Sequence, residues 1–548
     1  MSDARYDYIV IGSGAAGSVV AARLAEDPGT RVLVLEEGPD DRSLFIKANG
    51  GFFRTHGTER TFLFHTEPEP GCHDRELVVM QGRTLGGGTS VNAMCYSRGQ
   101  HADYDDWAAM GCTGWSYEEV LPYFRRSESN ARLSGRYHGA SGPMRVSDGV
   151  HRHVLTEAFV RAAQETTLPG RNQLIPFNHD FNGAIQEGAG YYQTMSYRGE
   201  RSSTARSFLA RGGENLVVRP SSRVNRILLE GRRAVGVALH RPDGSEEVVR
   251  AAREVILSAG TLMTPKLLML SGIGPVDQLK RHGIEVRVAS ENVGRGYQDH
   301  SMVPYDMTLK QPVSLYGQDR GFNRIRNGLE WLLFRHGPLA SNVVEAGGYF
   351  DFDGDGRPEI QLNALAVSSA GWGDPIPEDH RFSLAPLCLT CHSRGEITLR
   401  SADPADMPVV RTNFLHETDL TALVNGIELS RQICAAPSLQ AYVDSESLPG
   451  PAVGADRAAI ADYVLDHVKI GLHPTSSCAM GSGADTVVDP ELRVRGTEGL
   501  RIVDGSVAPI IPRGNTTAPI IMIAEKAADL IRGRSLQGEA PAPRFETA

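Results

Sequence analysis

The chain has 548 residues, 41% of them apolar and 22% charged, with a net charge of −10. That length exceeds what one hydrophobic core sustains, so two domains are expected, and the composition excludes a disordered, collagenous or small disulfide-framed protein. The acidic balance argues against a nucleic-acid partner or an anionic membrane surface, since both need clustered positive charge.

The segment Met1–Asp7 carries mixed charge, and the apolar run behind it is broken by Gly12 and Gly14, unlike a signal peptide. No stretch approaches the ~20 apolar residues of a membrane span. Seven cysteines, an odd number, fit a reducing compartment better than a disulfide framework. A cytoplasmic location with no membrane span is therefore expected.

In chain order, residues 7–11 read as a buried strand, 15–26 as an alanine-rich helix and 31–36 as a second buried strand. Together they form a βαβ unit, which implies a parallel sheet. Gly12-Ser13-Gly14-Ala15-Ala16-Gly17 joins the first strand to the helix as G-x-G-x-x-G. Gly12 permits the tight turn, Gly14 lets backbone approach a pyrophosphate, and Gly17 allows close helix packing. Ala15 and Ala16 open the helix whose N-terminus faces the phosphates. Glu36 ends the second strand, where an acid can accept hydrogen bonds from a ribose. The fingerprint leaves FAD and NAD equally open.

Residues 40–80 form a polar, glycine-interrupted excursion, and 116–128 and 152–166 pattern as helices. Short β-rich runs follow at 216–219, 223–229, 234–240 and 254–258, with a Pro242-Asp243-Gly244 turn among them. Residues 305–465 are mixed and read as a second domain. A strand at 500–503 and a helix over 518–531 close the pattern.

Further segments resemble the glucose–methanol–choline (GMC) oxidoreductases. Gly82 to Asn92 is similar to that family's first signature, and Gly260 to Pro265, continuing to Gly274, to its second. Val293 to His300 resembles a linking motif. His473 to Gly481, Val503-Asp504-Gly505-Ser506 and Gly514-Asn515-Thr516-Thr517 complete the set. The resemblance implies an α/β fold, mixed with α+β character. A Rossmann-type FAD-binding domain with a β-meander would carry an inserted substrate-binding domain, built on an antiparallel sheet with helices. FAD-binding segments would be 1–155, 215–304 and 466–535, substrate-binding segments 156–214 and 305–465, and 536–548 a flexible tail.

By the same resemblance Asn92, Ala93, Met94 and Cys95 would lie near the flavin ring and Val224 near the adenine. Asp504 and Gly505 would touch the ribityl–pyrophosphate region and Asn515 and Thr516 the pyrimidine side, with Arg83 and Gly87 also at the cofactor. Some members bond FAD through a histidine just before the asparagine of the first signature. Here that position is Val91, which implies non-covalent FAD.

Alcohol oxidation needs a proton taken from oxygen and a hydride passed from carbon to flavin N5. A neutral imidazole suits the first task. Among 17 histidines, only motif context singles out His473, in Leu472-His473-Pro474-Thr475, as the family's catalytic histidine. The partner position is Asn515, whose amide can orient a hydroxyl but cannot take its proton. A primary alcohol, aliphatic or aromatic, ranks first as substrate and choline second, with O2 or another electron acceptor. Glu345 resembles a substrate-side glutamate of choline-oxidising relatives, and Trp331 or Trp372 could add an aromatic wall. A non-catalytic flavin carrier is the reading from another class, and retention of His473 and Asn515 argues against it.

Two motifs are set aside. Cys388-Leu389-Thr390-Cys391-His392 imitates a c-type haem site, and Asp351 to Gly356 imitates an EF-hand start with Leu362 where a glutamate should stand. No metal is expected.

Overall fold

Two apolar runs without alternation, Tyr6–Ile11 and Val32–Leu35, form neighbouring parallel strands, as expected of strands covered on both faces. The computed structural model describes residues 6–369 and 377–536; Trp372 and all but the first residue of the expected tail lie outside these. Between the two strands the helix runs from Gly17 to Leu24. It starts later than the alanine pattern suggests because residues 14–16 are used in the turn that leads into it. Gly12 has φ +94°, and a Cβ there would sit 2.3 Å from the Ser258 carbonyl oxygen. A Cβ on Gly17 would lie 2.0 Å from the Gly12 carbonyl oxygen, so the helix packs where only glycine fits.

A seven-stranded sheet grows from this unit. Leu216–Arg219, Val32–Leu35, Tyr6–Ile11 and Glu246–Leu257 follow one another, and Leu500–Ile502 pairs with the last of them, all in parallel. The run expected at 254–258 is only the end of the twelve-residue strand Glu246–Leu257. Its first half pairs antiparallel with Arg233–His240, which pairs with Val224–Glu230. One long strand therefore carries both the β-meander and the centre of the parallel sheet. The polar 40–80 excursion contains a hairpin, Thr61–His65 against Val78–Gly82.

The second sheet is antiparallel, with eight strands. Val443–Leu448, Tyr305–Leu309, Arg381–Cys388, Ile360–Leu365, Ala346–Phe350 and Gly188–Tyr191 lie in that order. The helices Val154–Gln164 and Glu417–Ala435 pack on it, burying Leu155, Phe159, Leu423 and Ile427 beside Phe350, Leu362 and Leu384. Ser301–Met302 and Lys469–Ile470 also join this sheet, although they fall in stretches expected on the cofactor side. They follow His300 and precede His473, so the pairing of these two strands is the seam between the sheets. Among the described residues no helix is long and apolar enough to cross a membrane.

Candidate active site

A cavity of about 310 Å³ lies along the glycine loop and reaches His473. Gly12, Gly14, Ala15, Ala16 and Glu36 line it, as do Gly87, Asn92, Ala93, Met94, Cys95 and Val224. From the C-terminal segment come His473, Asp504, Gly505, Asn515 and Thr516. The structure thus gathers residues as far apart in sequence as Gly12 and Thr516 around one cavity.

Three of the expected site residues stand elsewhere. Gly17 packs its helix, as described above. Arg83 does not line the cavity itself; its guanidinium lies 3.3 Å from Glu37 and over the Phe62 ring, two residues that do. Glu345 is buried and does not reach the cavity. Its Oε1 accepts from Ser341 at 2.5 Å and lies 2.6 Å from His151 Nδ1, while its Oε2 accepts from the His153 N–H and Thr156 Oγ1 at 2.7 and 2.8 Å. A carboxylate so occupied joins the 151–156 and 341–345 segments and has no oxygen left to face a substrate cation. Trp331 is buried against Ala48 and Ala340, with Nε1 donating to the Gly199 carbonyl.

The dinucleotide end of the cavity fits FAD. Gly14 and Gly87 face each other so closely that a Cβ on Gly87 would lie 2.7 Å from the Gly14 Cα, leaving bare backbone for a pyrophosphate. Ser258 Oγ, Gln81 Oε1 and Arg223 Nε are buried polar atoms of the lining residues with no partner in the structure, as polar groups awaiting a ligand would be. Glu36 accepts from the Ser13 N–H, Ser13 Oγ and the Gly38 N–H at 3.0, 2.7 and 2.9 Å, which fixes its carboxylate at the strand end. Asp504 accepts from the Gly260 N–H and Thr264 Oγ1 at 2.9 and 2.6 Å, tying the 260 loop to the 504 loop. Among the described residues no carboxylate pairs with the buried Arg201; it donates to Asn92 Oδ1 at 2.9 Å, and burial lowers its pKa to about 9.

At the other functional group, backbone pairing sets the geometry. Gln298 and Thr475 exchange N–H···O bonds at 3.1 and 2.9 Å, and the Gly471 N–H donates to the His300 carbonyl at 2.7 Å. Asp299 Oδ1 accepts from the His473 N–H at 2.7 Å and Asp299 Oδ2 from Tyr297 OH at 3.1 Å. Leu472 is held at φ +63°, a strained conformation of the kind that clusters at functional sites. Cys391 buttresses this turn, with Sγ donating to the Asp299 carbonyl, so the haem-like motif has a packing role. Asp351, in the EF-hand-like stretch, caps the Gly354 and Gly356 N–H groups of a polar turn.

Two imidazoles then meet: His300 Nδ1 is 2.9 Å from His473 Nδ1, and Asn515 Nδ2 is 2.9 Å from His473 Nε2. The direction of these bonds follows from the strands behind them. Tyr192 OH donates to the Leu362 carbonyl at 3.1 Å, so its oxygen accepts from Gln361 Nε2, also at 3.1 Å. Gln361 Nε2 faces Asn515 Oδ1 at 3.3 Å, which turns the Asn515 Nδ2 toward His473. His473 Nε2 is then an acceptor, its Nδ1 carries the hydrogen, and that hydrogen goes to His300 Nδ1. His300, accepting at Nδ1, then carries its own hydrogen on Nε2.

Burial favours neutral rings here. The His473 pKa is lowered to about 4 by desolvation, and that of His300 falls well below its ordinary value through burial and the neighbouring His473. Burial pushes Asp299 up to about 7 against its hydrogen bonds. A substrate hydroxyl set between Asn515 and His473 could accept from the amide and donate to the imidazole. Motif reasoning singled out His473 and Asn515, which the structure brings together at 2.9 Å. It quoted His300 without a role, and it missed Arg201, Gln361 and Tyr192.

Residues 6–302 and 391–524 match the N-terminal and C-terminal sequence models of the GMC oxidoreductase family. The oxygen-dependent choline dehydrogenase of Brucella anthropi is 38% identical over 539 residues, which cover 96% of each chain. Among solved structures, an Aspergillus oryzae formate oxidase superposes with a TM-score of 0.89 at 28% identity, covering 97% of this chain and 99% of the other. Pyridoxine 4-oxidase from Mesorbium loti gives 0.85 at 28% identity, covering 95% and 98%. The chain belongs to the GMC oxidoreductase family.

The bond directions can be read by NMR of protein carrying 15N-labelled histidine, with His473 assigned by difference against His473→Gln. His473 Nε2 should resonate as an unprotonated acceptor in the native chain. In Gln361→Glu, which can only accept while ionised, the Asn515 amide should turn over and the proton appear on Nε2. A native His473 already protonated at Nε2 would disprove the assigned direction.

Proposed function

We propose that the protein is an FAD-dependent alcohol oxidoreductase that converts a primary alcohol, aliphatic or aromatic, to the aldehyde. FAD, when bound, supplies the hydride acceptor. The observation that carries the reading is the pair formed by His473 Nε2 and Asn515 Nδ2, 2.9 Å apart in the cavity wall, with the imidazole polarised to accept. Asn515 holds the substrate oxygen, and His473 takes the hydroxyl proton at Nε2. As His473 becomes cationic, its Nδ1–H bond to neutral His300 strengthens and offsets part of the charge. A carrier of flavin needs none of this.

The commitment of Glu345 to four protein donors favours a neutral alcohol over choline. Choline remains the second reading, because the Brucella relative is named a choline dehydrogenase. Seven free, buried cysteines support a cytoplasmic setting.

The deciding experiment is an anaerobic screen of primary alcohols and choline that follows bleaching of the flavin and then admits air. Neutral alcohols should bleach it faster than choline, and the rate of recolouring separates oxygen from another electron acceptor. His473→Ala should keep its FAD yet bleach at least ~100-fold more slowly. Unchanged bleaching in that variant would falsify the catalytic reading.

Because His473 stays neutral down to about 4, its protonation removes the base only in strong acid. The bleaching rate at saturating alcohol should therefore show no acid limb at the ordinary imidazole pKa of about 6.5. An inflection near neutrality belongs to Asp299 and should vanish in Asp299→Asn; one that persists there would rule out a neutral His473 as the base.

Val91 offers no nucleophile at the position through which some relatives bond FAD. Acid precipitation should leave the yellow colour in the supernatant and a colourless pellet. A pellet that keeps its flavin after denaturation would show a covalent link.

A further inference from the structure

The helix Gly321–Phe334 is amphipathic the wrong way round for a soluble protein. Its buried residues are Asn327 and Trp331, whereas Phe322 and Leu333 are 76% and 71% exposed. Ile325, Leu329 and Leu332 are exposed as well. At 3.6 residues per turn these five side chains share one arc of about 100°, roughly opposite Trp331. The helix is held in place on its inner side: Trp331 Nε1 donates to the Gly199 carbonyl at 2.8 Å, and Arg335 Nε to Glu200 Oε1 at 2.5 Å. The outward arc is thus a fixed surface rather than a frayed end.

The surface continues beyond the helix. Lys47 reaches the same Glu200 at 3.0 Å, and Arg54 reaches Asp319 at 2.5 Å, which brings the 44–55 segment alongside. That segment exposes Leu44, Phe45 and Phe53. The Phe53 ring stacks on Phe52 with centroids 4.0 Å apart, and Phe52 lines the cavity. Exposed apolar side chains gathered in neighbouring segments in this way mark a docking site.

Charge selects the partner. From Arg320 to His336 there are four arginines against one glutamate, in a chain whose overall net charge is −10. Arg326 is exposed beside the apolar arc, and Arg324 is exposed on the flank nearer Trp331. A second copy docking about a twofold axis would set this cationic patch against another of the same sign. An apolar face led by Phe322, with exposed arginines on the flanks of the helix, instead has the character of a helix lying in the plane of a lipid interface. We propose that this face docks the enzyme on the surface of an anionic lipid bilayer. The whole-chain charge points away from such a surface because the local cationic strip is averaged out in the sum. Docking there places Phe53, and the cavity wall behind it, at the lipid interface.

The test is flotation of the FAD-loaded full chain with phosphatidylcholine vesicles, with and without phosphatidylglycerol. The native enzyme should float with the phosphatidylglycerol vesicles and remain behind with phosphatidylcholine alone. Ile325→Glu/Leu329→Glu and Arg324→Gln/Arg326→Gln should each weaken the partition tenfold or more while leaving turnover of a soluble alcohol and the melting temperature unchanged. Native enzyme that does not float with phosphatidylglycerol, or that floats equally with both vesicle types, overturns the proposal. So does a dimer, seen by light scattering, that Ile325→Glu/Leu329→Glu dissociates, since the face would then be covered by a second copy.

Discussion

The site depends on the short backbone ladder between Gln298–His300 and Gly471–Thr475. Gln298 and Thr475 exchange two hydrogen bonds, Gly471 donates to the His300 carbonyl, and Asp299 caps the His473 N–H. Remove that ladder and neither imidazole has a defined position, because each follows a turn rather than standing in a long strand or helix. The ladder also fixes the environment. By pinning His473 against His300 it seats one ring in the half-buried cavity wall and the other in the interior, and burial is the cause of the His473 shift.

The base proposed here, held near 4, looks ill matched to taking a proton at neutral pH, since proton transfer favours a pKa near the working value. The arrangement of bonds answers this in part. Desolvation penalises the imidazolium only while nothing else receives its charge. His300 accepts from Nδ1, so the ring that gains a proton at Nε2 keeps a hydrogen-bond acceptor on its far side. The basicity that matters is expressed with the substrate in place, and it depends on His300 remaining neutral. Burial ensures this, holding His300 well below its ordinary pKa.

How much of this could be read from the sequence divides by distance along the chain. The glycine loop, its flanking strands and Glu36 were legible because the phosphate-binding turn is local: its steric demands fall on residues within one βαβ unit. His473 and Asn515 were legible only through resemblance, since nothing in a lone His-Pro dipeptide marks a base. Tyr192 and Gln361 were not legible, because their role arises from pairing between strands. Tyr192 meets Leu362 and Gln361 only after Gly188–Tyr191, Ala346–Phe350 and Ile360–Leu365 stack in one sheet. Glu345 illustrates the reverse. Its motif context suggested a substrate contact, and only the folded arrangement of Ser341, His151, His153 and Thr156 shows its oxygens already taken. The strand ending at Leu257 was cut short for a similar reason: its polar first half reads as a loop until Arg233–His240 supplies a partner.

The same distinction between sums and positions governs the electrostatics. A net charge of −10 describes the far field, which a Debye length of about 8 Å in physiological salt erases a short distance from the surface. What a contacting surface meets is the local arrangement, and around Gly321–Phe334 that arrangement is cationic and apolar together. Inside the protein the logic runs the other way. Arg201 sits beside Asn92, no carboxylate among the described residues pairs with it, and burial leaves its field weakly screened. A buried cation next to the cavity favours whatever negative charge the ligand brings there, so a single residue can set the local potential in a chain that is acidic overall.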